Sequence, residues 1–382
     1  MTVKKILCLI LGFMLLLSAT ACKNGDDLSS NSQNNIISTK VDKSINMEEK
    51  YGFNSIENVE YNCLKDIPYG DAEYEITGVL TDKGSDVGYV SDITCDDKGV
   101  TVNEKVVTIP YEYKKKHDYV TITAKHKFSK TSCKFKINFD KWDLIFEDNF
   151  DGTTLNTKIW NVWDSADWQY FYSPDSIFLD GKGHLVSRVS ILDNPDPKYE
   201  YTRKSSAITS KDKYDSTYGY YEISMIPHLT TGFWGAFWLM AGDMDGDAPD
   251  DNSSVNGAEI DVAETIFDTK ITNHAVHWDG YENTKSWNIY NELSPIPNVF
   301  DGKFHTFAVR WTPDEYVFMI DGNVTARTEA QGGCNQPAYM LISSHFGEWW
   351  AGDLTLKAGE YSDMIVDYVR IYQTPSDKNL NN

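Results

Sequence analysis

From Trp142 to the C-terminus the chain is cut every few residues into short runs that alternate or mass apolar side chains. The runs read "DLIFEDNF", "GHLVSRVSIL", "SSAITS", "YGYYEISMIP", "GFWGAFWLM", "AEIDVAET", "NHAVHW", "HTFAVRWT", "YVFMIDG", "AYMLISS" and "IVDYVRIYQ". Asp180-Gly181, Asp301-Gly302 and Asp321-Gly322 punctuate them as turns. No long segment carries the 3.6-residue period of an amphipathic helix. More than ten strands in about 235 residues leave an all-β sandwich or jelly roll.

Residues 51–141 are also strand and turn, but of another composition. "YVTITAKHKF" (119–128) and "CKFKINF" (133–139) alternate, "KGSD" and "DDKG" mark turns, and every Trp of the chain lies at or after Trp142. Short strands over that length suggest a small immunoglobulin-like sandwich, a spacer or a binding module. At 382 residues, with 41% hydrophobic and 13% aromatic content, two packed β domains are affordable. The 23 Tyr and 11 Trp suit β cores, and flat rings with polar edges also stack on sugars. A formal net charge of −22 repels nucleic acid and other polyanions and favours neutral partners.

The N-terminus reads as an address. Lys4 and Lys5 precede the apolar run Ile6 to Leu17, and "SATAC" ends at Cys22. A basic start, a short apolar core and small residues before the break describe a secretory signal over 1–21. The run is too short to span a bilayer. Small residues directly before Cys22 resemble a bacterial lipobox, which implies lipidation of Cys22 and a cell-surface lipoprotein whose membrane contact is that anchor. The Asn-, Ser- and Asp-rich stretch 22–50 then reads as a disordered tether, and 376–382 as a disordered tail. Beyond Cys8 and Cys22 the thiols are Cys63, Cys95, Cys133 and Cys334. A bridge would pair two of the first three, leaving Cys334 alone; no zinc spacing is present.

The chemistry gathers in "GAEIDVAETIF" (257–267). In a regular strand Glu259 and Asp261 share a face and Glu264 falls on the other, the greasy one. A β-bulge at Val262-Ala263 would return Glu264 to the acidic face. Two Glu side chains roughly 13 Å apart at Cα, at about 3.3 Å per residue, could then lean together over Asp261. Carboxyls about 5–5.5 Å apart suit retaining glycoside hydrolysis, one attacking the sugar and one protonating the leaving oxygen. Asp261 would share a proton with, or hydrogen-bond, the nucleophile. Three acids in a strand also fit a solvated edge or calcium ligands. The aromatic strands "GFWGAFWLM" and "HAVHWDGY", fit to floor a sugar cleft, favour catalysis.

With these motifs, residues 142–373 resemble glycoside hydrolase family 16, in its laminarinase-like branch. The carrying motif is Glu259-Ile260-Asp261-Val262-Ala263-Glu264, supported by "LIFEDNFDGTTLNTKIW", "FHTFAVRWTPDEYVFMIDG" and "IVDYVRIYQ". The resemblance implies a concanavalin-like β-jelly roll over 142–375 and retaining cleavage of internal β-glycosidic bonds. It makes Glu259 the nucleophile, Asp261 its assistant and Glu264 the general acid and base. Departures stand at Trp234-Gly235-Ala236-Phe237-Trp238, where the family has Trp-Pro-Ala-Phe-Trp, at Gly219-Tyr220-Tyr221-Glu222, and at "LISSHFGEWWAGD" (341–353). They fall where substrate would be touched and bear on specificity.

Trp234 and Trp238, four apart in one strand, are candidate sugar platforms. His277 is placed to hydrogen-bond near the acid, His274 less so, and His345, Trp349 and Trp350 would line the far end of the cleft. Asp367 matches a position that often helps bind a structural calcium in the family, though its usual acidic partner is Asn149 here. No cofactor is expected for catalysis. The reading is a monomeric endo-β-glycanase acting on β-1,3- or mixed β-1,3/1,4-glucan. An endo-β-galactosidase on galactan or host glycans, a transglycosylase and a non-catalytic carbohydrate-binding protein are its rivals.

Overall fold

The computed structural model describes residues 59–82, 85–89, 92–125, 132–167, 169–242, 244, 253–281, 284–288 and 298–380. Cys22, the signal and the tether lie outside them. The chain divides into two compact units at Trp142/Asp143.

In the N-terminal unit one sheet holds Val59–Asp66, Ala72–Asp82, Ser85–Tyr89, Thr101–Asn103 and Val106–Ile109, and a second holds Asp92–Cys95, Tyr119–Lys125 and Ser132–Asn138. Alternation sends Val120, Ile122, Phe135 and Ile137 inward against Ile76 and Val107, while Lys134 stays outside. All four described cysteines are free, so no bridge forms among Cys63, Cys95 and Cys133.

Residues 143–380 form the larger sandwich. Its first sheet runs, strand by neighbouring strand, through Asn161–Val162, Ala207–Thr209, Ala338–Phe346, Phe233–Ala241, Ala258–Ile266, Ile271–Trp278 and Lys285–Asn288. The second is built around Leu185–Ile191, Tyr361–Gln373, Gly219–Ile226, His305–Trp311, Glu315–Ile320 and Asn323–Glu329. Phe237, Leu239, Ile260, Val276 and Ile342 of one sheet meet Tyr221, Ile223, Phe307, Phe318 and Val366 of the other in a closed core. The first sheet's other face is therefore free to carry polar and aromatic side chains. Nearly all ladders are antiparallel, the exception among those described being Phe171–Tyr172 beside Arg203–Ser205. This is the β-jelly-roll class that the strand pattern predicts.

The tail departs from expectation. Pro375–Leu380 is a short helix in place of disorder. Thr374 and Asp377 cap it reciprocally: the Thr374 amide donates to Asp377 Oδ2 at 2.8 Å, and the Asp377 amide to Thr374 Oγ1 at 3.2 Å. Arg310 then ties Asp377 to the sandwich at 2.9 Å.

Candidate active site

The acidic strand Ala258–Ile266 begins at Gly257, whose φ of +86° and approach to Ala241 leave no room for a side chain; a Cβ would sit 1.8 Å from the Ala241 carbonyl oxygen. Glu259 lies opposite Met240 and His277, Asp261 opposite Trp238 and Ala275, and Glu264 opposite Ala236 and Asn273. The partners step by two on both sides, so all three acids share one face. Val262 and Ala263 supply the extra residue: both flanking ladders shift there, and both side chains are fully buried with Ile260. The expected bulge is present, and it puts Glu264 on the acidic face.

His274 sits across from that bulge on the core side. Its Nδ1 donates to the Val262 carbonyl at 2.6 Å, Nε2 is 3.0 Å from Thr325 Oγ1, and the ring stacks on Phe318 at 4.8 Å. Burial lowers its pKa to about 4, so it is neutral at ordinary pH. His274 thus holds the bulge and does not face the cleft.

Electrostatics separate the two glutamates. Burial, then the Asp261 charge, raises both. For Glu259 this is offset by the His277 charge and by the Tyr281 hydroxyl, which donates to Oε2, and its pKa comes to about 7. Glu264 is held well above the usual carboxylate range, with Asn273 Nδ2 donating to its Oε2 at 2.8 Å. His277 stands at the Glu259 end, not beside Glu264, because antiparallel register pairs it with Glu259. Its Nε2 lies 3.3 Å from Asp261 and 3.9 Å from Glu259, and Nδ1 is 2.6 Å from Ser286 Oγ. Burial alone would lower its pKa; the hydrogen bond to Asp261 and the surrounding carboxylates outweigh this and hold it at about 9.

Glu259, Asp261 and His277 bring ligand atoms within 4.8 Å of one another, close enough to hold a metal. Protonated His277 already supplies a cation there, and a metal would have to displace its proton to use it as a ligand, so the trio is charge-balanced without one. At Asp367 the side chains offer one carboxylate, with Ser224 Oγ at 3.4 Å, while Asn149 Oδ1 accepts from Arg370 at 3.2 Å. Calcium's usual six to eight oxygens would have to come mainly from elsewhere, so these side chains alone do not make the site that the resemblance implies.

Trp234 and Trp238 project on the acidic face, both partly exposed. Trp234 stacks on His345 at 5.0 Å and meets Trp350 edge-on at 5.0 Å; Trp349, 54% exposed, lies against Trp350 at 6.0 Å. Trp238 Nε1 donates to Ser343 Oγ at 2.9 Å, and Ser343 is 2.7 Å from His345 Nε2. Tyr172 and Tyr170 hydroxyls reach His345 Nδ1 at 2.9 and 3.3 Å. Burial lowers His345 to about 4, leaving a neutral ring clamped at both nitrogens. Register therefore joins the tryptophans, His345 and the acids on one face. Sequence reasoning missed Tyr170, Tyr172, Asn273, Tyr281 and Ser343. Asn273 could have been found by pairing "NHAVHW" antiparallel to the acidic strand; the tyrosines come from loops and a short strand with no periodic signal.

The family pattern of Glycosyl hydrolases family 16 matches residues 115–370. The chain is 30% identical over 181 residues to the endo-1,3-1,4-beta-glycanase ExsH of Rhizobium meliloti, covering 47% of this chain and 35% of that one. It is 25% identical over 269 residues to glucan endo-1,3-beta-glucosidase A1 of Niallia circulans, covering 60% and 38%. It thus spans little more than a third of either relative. The laminarinase catalytic domain from Thermotoga maritima MSB8 has the same fold, with a TM-score of 0.51 and 21% identity over 61% of this chain and 98% of that one. With the family pattern running across most of the chain and the strand order of a jelly roll beneath it, this protein belongs to glycosyl hydrolase family 16.

Proposed function

We propose that the protein is an endo-β-glycanase that cleaves internal β-glycosidic bonds with retention, most readily in β-1,3- or mixed β-1,3/1,4-glucan. The observation that carries this is the bulge, which sets two glutamates of unlike protonation on one face across an aspartate. The ionised Glu259 carboxylate attacks the anomeric carbon as protonated Glu264 gives its proton to the leaving oxygen. The glycosyl ester on Glu259 then breaks as Glu264, now a carboxylate, takes a proton from the attacking water. Two displacements restore the β configuration. Protonated His277, held by Asp261, and the Tyr281 hydroxyl favour the ionised form of Glu259 against burial and the Asp261 charge.

Trp234 and Trp238 offer stacking surfaces for neutral sugars, and the excess negative charge suits an uncharged polymer. The glucan assignment draws on the glycanase and glucosidase activities for which the two bacterial relatives are named. An endo-β-galactosidase on galactan is the second reading, because the departure from the family pattern at 341–353 falls where substrate would be touched. We also propose, from the N-terminal sequence, that Cys22 carries lipid and holds the enzyme at the cell surface, with 51–141 as a spacer. Cys22→Ser should release it from the membrane fraction, and unchanged association would refute the anchor.

The chemistry is tested on a panel of laminarin, lichenan, agarose and galactan-type glycans, with proton NMR of the first product. The β anomer is expected, and Glu259→Gln should abolish turnover on every substrate. An α product, or an active Glu259→Gln variant, refutes the assigned roles.

A further inference from the structure

We propose that Asn273 is the positioning residue that serves Glu264 in both of its protonation states, its side-chain amide turning to donate to the carboxylate and to accept from the acid. The inference rests on Glu264 being the proton-transfer group. Asn273 lies directly opposite Glu264 in the ladder, is 5% exposed, and puts Nδ2 2.8 Å from Glu264 Oε2. Its Oδ1 is buried and, among the described residues, has no hydrogen-bond partner. A buried acceptor left unserved is costly and asks for a reason.

The reason is in the cycle that Glu264 must run. As a carboxylate it accepts only, and the amide N–H suits it. As a carboxylic acid it carries an O–H that needs an acceptor, and none is offered by an N–H. A half-turn about the last side-chain bond of Asn273 exchanges Nδ2 for Oδ1 and supplies it. An amide can make this exchange; an apolar side chain or an ionised carboxylate of the same size cannot. The charged groups facing Glu264 are Asp261 and Glu259 from its own strand and His277 from the next. Each of these presents one fixed polarity, the two carboxylates opposing a proton's departure and the imidazolium favouring it. Asn273 alone in this set carries both a donor and an acceptor.

The test uses the full chain. Asn273→Leu keeps the volume and removes both functions; Asn273→Asp keeps the shape and leaves only acceptors. For Asn273→Asp, which keeps an acceptor and loses the donor to the carboxylate, the alkaline limb of kcat/KM on the polysaccharide should move to higher pH, and for Asn273→Leu, which loses both, it should move less. Turnover of the polysaccharide should fall roughly 10- to 100-fold, the fold-change of one hydrogen bond to a charged group. The pre-steady-state burst on an aryl glycoside with an activated leaving group, which needs no proton, should stay near the parent value. Equal losses on both substrates, or an unmoved limb in a folded Asn273→Asp variant, would overturn the proposal. Glu264→Gln serves as the control: if it lacks the same split between substrates, the role of Glu264 is what has failed. If it shows the split and both Asn273 variants do not, the failure is confined to Asn273.

Discussion

Glu259 and Glu264 are chemically identical, and their neighbours make them different. Tyr281 donates to Glu259 and protonated His277 lies 3.9 Å away, whereas Glu264 has one amide donor and sits farther from the cation's grip. In the proposed mechanism Glu259 attacks as the carboxylate, so kcat/KM should rise with pH through about 7, its value in the folded chain. The Tyr281 hydroxyl stabilises the ionised form and therefore lowers that value. Tyr281→Phe should shift the acid limb upward by about one to two pH units, as expected for losing a hydrogen bond to a charge. A limb that stays in place would show that Tyr281 does not act on Glu259. The three acids and His277 were legible because they lie in or beside one motif. Tyr281 was printed in "HAVHWDGY", yet nothing in that string says where a hydroxyl will land.

At the scale of the element, the acidic strand depends on one surplus residue. Val262 and Ala263 together face a single residue, His274, on the neighbouring strand, which binds the bulge carbonyl. Deleting Ala263 should therefore repair the ladder and leave Glu264 on its face. Deleting Ile260 should slip Asp261 and Glu264 to the core side, burying two carboxyls without partners. In circular dichroism melts the transition of the C-terminal unit should survive the Ala263 deletion and be lost with the Ile260 deletion, that of the N-terminal unit remaining in both. Two failures, or two successes, would mean that the bulge does not set the faces. His274→Leu should cost about 1–3 kcal/mol by orphaning the Val262 carbonyl, a drop of roughly 2–12 °C in Tm. The alternation rule makes the need for a bulge visible in the sequence. The residue that holds it was not, because a buried histidine and a cleft histidine look alike when only one strand is read.

For the whole molecule, each unit has its own buried core, around Ile122 and Phe135 in one and around Phe237 and Phe307 in the other. Residues 143–382 should fold without the N-terminal unit, show one cooperative thermal transition and keep the parent's kcat/KM on its best polysaccharide. The family match starts at residue 115, inside the N-terminal unit. A truncated chain that fails to fold would move the working boundary back toward that residue. The ends of the chain were the least legible part. The capped helix Pro375–Leu380 arises from Thr374 meeting Asp377 and from Arg310 arriving from a distant strand.

The sequence by itself determined the all-β class, the two-part organisation, the acidic triplet and the requirement for a bulge, because period-2 alternation and turn residues act locally and are written in order along the chain. Tertiary structure alone decided which groups surround the triplet. Whether His277 stands by Glu259 or Glu264, whether Asn273 or His274 faces the cleft, and which tyrosines reach His345 depend on inter-strand register. That register is set by how the two inner faces pack, a property of residues far apart in the chain, so no single segment could announce it.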